Sequence, residues 1–191
     1  RIFMFNNAIK ISFFCVLITL FVGCSNSNTK QDLIDRAGAP LLSGLGDHSH
    51  SITTSQDGVQ EYFDQGLVLA FAFNHAESVR SFKAAQTLDP SCAMCYWGEA
   101  LARGPNINVT SNGKAVMSDG ERIKAFEAAL KAKDLMANST PKEQAYITAL
   151  SSRYDGDITS DRNVLDLSYA EAMEKVVRIY PEDMDAASLY S

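Results

Sequence analysis

The chain has 191 residues, 46% hydrophobic and 21% charged, a globular usage that excludes a disordered chain and fits one domain or several small repeats. Seventeen basic against 23 acidic residues give a net charge of −6, which leaves no basic face for a nucleic acid. Eleven Gly and five Pro exclude collagen-like fibres, and four Cys are too few for a disulfide-built scaffold.

Arg1 in first place and a helical pattern still running at Ser191 are expected of a translation ragged at both ends, with Met4 the first candidate start. Lys10 supplies a positive n-region, and Ile11–Val22 is an apolar run of twelve residues broken only by Ser12 and Thr19. Twelve falls short of the ~20 residues that cross a bilayer and suits the h-region of a signal peptide. The run closes on Phe21-Val22-Gly23-Cys24, which resembles a bacterial lipobox with Phe21 in place of the usual Leu. The resemblance implies cleavage after Gly23 and a lipid on Cys24. With Ser25 rather than Asp beside it, it also implies an outer-membrane protein facing the periplasm. An ordinary signal peptide followed by a chance Cys is the competing reading, and Cys15 inside the run is an apolar filler. The expected division is a signal peptide over 1–23, a lipidated Cys, tether and N-terminal segment over 24–54, and a helical domain over 55–191.

Ser25–Lys30 is small and polar, as a tether between lipid and domain would be. Gln31–Arg36 is a short amphipathic piece, after which Gly38, Pro40, Gly44 and Gly46 interrupt the chain. From Ser55 the pattern is helical throughout, with no alternating stretch of strand length. Thr54…Asp57, Asn74…Glu77, Ser118…Glu121 and Thr140-Pro141-Lys142-Glu143 are capping-box candidates. Asn74, Pro90, Gly104-Pro105, Asn138, Asp155-Gly156 and Pro181 are stops. The spacing predicts helices over 56–73, 75–88, 92–103, 119–136, 141–154 and 161–179, with a seventh from 182. Short connections predict antiparallel pairs, so the fold class is all-α.

A period near 34 runs through the first pairs. Tyr62, Gly66, Leu69, Ser78, Phe82, Ala85 and Pro90 occupy the offsets of a tetratricopeptide (TPR) repeat, with Gln65 and Ser78 replacing the usual Leu and Ala. Gly66 allows close approach of the second helix, Phe82 fills the space between helices, and Ala76, Val79, Phe82, Ala85 and Leu88 form one face. Tyr96 and Ala100 follow Tyr62 and Gly66 by 34 residues. The second helix of that pair is delayed by 104–117 and resumes at Ala125, Ala129 and Ala132. A third pair, ending at Tyr180-Pro181, matches poorly inside; a plain helical bundle is the alternative to stacked pairs in a TPR-like right-handed solenoid. Tyr62-Phe63-Asp64-Gln65-Gly66, Phe73-Asn74-His75, Leu88-Asp89-Pro90, Cys92-Ala93-Met94, Tyr96-Trp97-Gly98 and Gly104-Pro105-Asn106-Ile107-Asn108 resemble a group of exported bacterial TPR proteins over about residues 46–181. That resemblance implies fold and location, and no activity.

Three features carry candidate chemistry. Cys92-x-x-Cys95 at a helix start permits a disulfide or redox work, or plain packing thiols. No His follows for haem, and no second Cys pair is present for zinc. His48, His50 and His75 are the only histidines; if the segment 44–54 folds over Asn74-His75, three imidazoles would suit a divalent transition metal. Otherwise His50 and His75 pin that segment by hydrogen bonds. The polar insertion 104–117, with Asn106 and Asn108, is either a ligand loop or a mobile surface loop. Asp57, Glu61, Asp64, Glu171 and Glu174 read as solvated helix faces. No phosphate loop, nucleophile elbow or H-E-x-x-H is present, and nothing marks the chain as an enzyme. The expectation is a lipid-anchored, periplasm-facing TPR scaffold that binds a protein or peptide and touches the bilayer through Cys24. The alternative is a metal- or small-ligand-binding helical-repeat protein, enzymatic or not, using the histidines and the 104–117 loop.

Overall fold

The computed structural model describes residues 26–111 and 114–191. The expected signal peptide over 1–23 and the lipidation site Cys24 lie outside the described residues. Among the described residues the fold is all-helical apart from one short hairpin. The helices are α1 (Asn26–Ala37), α2 (Val59–Phe71), α3 (His75–Leu88), α4 (Ala93–Arg103), α5 (Asp119–Leu135), α6 (Pro141–Ser151), α7 (Arg162–Ile179) and α8 (Met184–Tyr190). None is long and apolar enough to cross a membrane.

Local chemistry explains the ends. Ser118 Oγ accepts from Glu121 N–H at the start of α5. Thr140 and Glu143 form a complete capping box at α6, with Pro141 in the first turn. Two expected caps are corrected. Thr54 does not cap α2; the cap position falls to Gly58 at φ 85°, and Thr54 turns to Asp89 instead. Asn74 stands at the cap of α3 without a side-chain bond. α2 ends with Phe73 at φ 60°, where a Cβ is disfavoured, and the Asn74 N–H returns to Leu69 O.

Two elements differ from expectation. Asn26–Ala37 is a 12-residue helix, so most of the expected tether Ser25–Lys30 is helical. The insertion 104–117 holds β1 (Asn106–Ser111) and β2 (Lys114–Val116), paired antiparallel with Asn106 opposite Val116. Asn106 and Asn108 therefore sit in a strand, where a loop was expected. Six residues of mixed polarity and a three-residue partner are too short for an alternation signal to stand out.

Helices adjacent in the chain pack on one another from α2 to α8, and α4 also touches α2 and α6. Gln65 meets Ser81 and Gly66 meets Ser78, so α2 and α3 run antiparallel. Phe82 is the wedge. A Cβ on Gly66 would lie 2.9 Å from its ring, and one on Gly98 only 2.2 Å. Both positions must be glycine for α2 and α4 to close on the ring. Tyr62, Leu69, Ser78, Phe82 and Ala85 are buried, Tyr96 is half-buried and Pro90 exposed. The buried face of α3 is Ser78-Ser81-Phe82-Ala84-Ala85. Ala76, expected on it, is exposed, and Val79 and Leu88 are half-buried. Ser78 is tolerated because its Oγ donates to Gly66 O at 2.6 Å.

Candidate functional site

Residues 39–54 carry no regular structure, and Gly38, Gly44 and Gly46 have positive φ, so they cannot continue α1. Their polar main-chain atoms must find partners elsewhere. They find them on side chains of the first helix in successive pairs. Gln65 of α2 accepts from Leu42 N–H at 2.7 Å and donates to Pro40 O at 3.1 Å. Gln60 donates to His50 O at 2.9 Å and accepts from Ile52 N–H at 3.1 Å, standing in for a neighbouring strand. Asp64 accepts from His50 N–H at 3.0 Å and from Ser49 Oγ at 2.7 Å. Glu143 of α6 takes Thr53 N–H and Thr53 Oγ1, both at 2.6 Å. Thr54 Oγ1 donates to Asp89, just before α4, at 2.8 Å, and Tyr62 Oη donates to Ala39 O. Asp64 is thus a clamp for this strap rather than the solvated face expected of it.

Glu143 also keeps its capping role, accepting from Thr140 N–H at 2.7 Å. Burial alone would raise its pKa. The hydrogen bonds from Thr53 and Thr140 outweigh burial and hold the carboxyl below its ordinary range. Asp89 follows the same pattern: burial opposes ionisation, and bonds from Ser91 and Thr54 lower its pKa.

Where the strap passes α6 and α8, rings and carboxylates meet. Phe82, Phe63, Trp97, Tyr146 and His50 form a buried run of aromatic contacts with centroids 5.2–6.3 Å apart. His50 Nδ1 lies 2.7 Å from Asp185 Oδ2, and His48 Nε2 lies 3.1 Å from Asp185 Oδ1. Asp183 caps α8 through Oδ1 and faces Lys142 Nζ at 3.0 Å through Oδ2. Burial pushes the Tyr146 phenol pKa up, and the neighbouring carboxylates of Asp183 and Asp185 push it the same way. Burial works to raise the Asp183 pKa as well, but Lys142 and the Ala186 N–H bring it below the ordinary value.

His75 is not part of this group. Its Nδ1 lies 3.1 Å from Ala102 O at the far end of α4, and its ring packs on Phe73. The expected three-histidine site is corrected to two histidines and Asp185, because the strap runs toward α8 rather than over the Asn74-His75 turn. Cys92 and Cys95 are joined by a disulfide at the start of α4, where Cys92 Sγ also accepts from Cys95 N–H. Gln60, Glu143, Asp183 and Asp185 were not singled out for binding by the sequence. Only the Glu143 capping box gave a signal, and it pointed to a helix start. Compared with protein-family models, curated proteins and solved structures, the chain matches none, so its reading rests on its own residues.

Proposed function

We propose that this protein is a TPR-like interaction module, exported and anchored through Cys24, which binds extended polypeptide along the first helices of its pairs. One observation carries the reading. Gln60, Asp64, Gln65 and Glu143 hold residues 42–53 mainly by main-chain groups, a mode of recognition that tolerates many sequences. In this chain the row is occupied by its own strap, so a partner's segment competes with it. The wedge at Gly66, Phe82 and Gly98 and the repeat spacing support a solenoid of stacked pairs. The Cys92–Cys95 disulfide suits an oxidising compartment.

The test uses the detergent-solubilised full-length chain and a labelled peptide with the sequence of residues 39–54. Thr53→Pro removes the N–H and hydroxyl that reach Glu143 without touching the receiving row. The tethered strap competes at a millimolar effective concentration, so wild type binds the peptide weakly and Thr53→Pro at least about tenfold more tightly. Adding Asp64→Ala to Thr53→Pro abolishes the gain. No peptide binding by Thr53→Pro overturns the reading. Separately, Cys24→Ala releases the protein from membranes; retention of the processed variant would sink the anchor.

A further inference from the structure

We propose that His50, Asp183 and Asp185 form a binding site for a divalent first-row transition metal that fastens the strap to α8, with His48 at its mouth held to Asp185. The inference is independent of the peptide-binding reading.

Three observations point the same way. First, two imidazoles converge on the two oxygens of one carboxylate, at 3.1 and 2.7 Å. An ion with bonds of about 2.0–2.2 Å sets neighbouring donors roughly 3 Å apart, so the donors already stand near ligand spacing. Atoms of His50, Asp183 and Asp185 lie within 4.8 Å of one another, which brings a second carboxylate into reach. Second, His50 is 3% exposed, and its Nε2 is buried with no hydrogen-bond partner. Tyr146 and Asp183 beside it are partnered, by each other and by Lys142, so the His50 ring holds the atom left over. Buried polar atoms without partners mark a place where an ion or a water belongs. Third, Asp183 has Lys142 as its cation, while Asp185 is met by His48 and His50, which carry charge only when protonated. A divalent ion balances the Asp185 charge with the imidazoles neutral, the form in which they ligate.

The geometry has an open side. His48 is 43% exposed whereas His50 and Asp185 are 3% and 13% exposed. An ion would enter past His48 and rest against Asp185, with Asp64 fixing His50 through its main-chain N–H. An imidazole with carboxylate oxygens suits Zn(II), Fe(II), Co(II) or Ni(II) rather than Ca(II), which prefers oxygen alone.

The test is titration of the metal-stripped full-length chain in detergent with Co(II) and Zn(II). Expected are one equivalent retained after dialysis, a Co(II) visible spectrum of nitrogen and oxygen ligation without a thiolate band, and protection of the strap amides from hydrogen exchange. His50→Ala and Asp185→Asn lower affinity by about 100-fold, and His48→Ala by about 10-fold. His75→Ala leaves it unchanged. His48 is on the surface, so its variant keeps the test alive should His50→Ala fail to fold. Absence of stoichiometric Co(II) and Zn(II) in the wild type overturns the site and leaves a hydrogen-bonded pin. Loss of binding in His75→Ala equal to that in His48→Ala overturns the ligand assignment.

Discussion

The helix α2 takes part in two kinds of contact. Through Gly66 it closes on the Phe82 ring together with Gly98, a contact made of shape and apolar burial. Through Gln60, Asp64 and Gln65 it holds the strap, a contact made of hydrogen bonds to main-chain groups. The first has no flexible element, because ring and backbone fit only when both glycines are present. The second is a set of separate bonds, each worth about 1 kcal/mol net, which can be released one by one. A wedge therefore suits a permanent core, and a row of side-chain amides and carboxylates suits a segment that comes and goes.

The difference can be broken from its strong end. Phe82→Ala should cost about 3–5 kcal/mol as a buried aromatic truncation. Gly98→Ala should cost about 1–3 kcal/mol by overpacking against the same ring. Urea unfolding measures both, and unchanged midpoints would show that the wedge does not hold the pairs together.

The strap end gives an intermediate effect with a pH signature. Glu143→Gln leaves one oxygen where Thr53 and Thr140 donate to two, for a loss of about 1–3 kcal/mol. The folded-state pKa of Glu143 is depressed, so its contribution is complete above the unfolded value of about 4.3 and is lost as pH falls through the lower folded value. Stability measured against pH should fall more steeply below about pH 4.3 in wild type than in Glu143→Gln. Parallel curves would show that the strap is not held by ionised Glu143.

The smallest effect is expected away from both regions. Arg178 pairs with Glu174 on α7 at 2.7 Å but is 73% exposed. Arg178→Ala should change stability by less than about 0.5 kcal/mol. A larger loss would mean that the surface of α7 is covered by something that the wedge and the strap do not account for.

Much of the wedge was legible in sequence. Tyr62, Gly66, Phe82 and Ala85 stand at fixed offsets, and each is buried. Even there Gly98 was read only as part of a resemblance, since its fit to Phe82 joins α3 to α4 and follows no offset within one pair. The strap was not legible. Glu143 looked like a cap and Asp64 like a solvated acid, and Gln60 carried no signal of its own. His50 was noticed as chemistry, but its partner Asp185 lies 135 residues on.

The sequence by itself determined the helices from α2 to α8, because periodicity, caps and stops act within a few residues and leave a mark at fixed spacing. Tertiary structure alone decided that 39–54 lies across α2 and α6, that His48 and His50 meet Asp185, and that His75 does not. Those contacts join residues 8 to 135 positions apart, across a segment with no regular structure of its own. A chain pays the entropy of closing such loops only once the helices are packed, so no local pattern announces them.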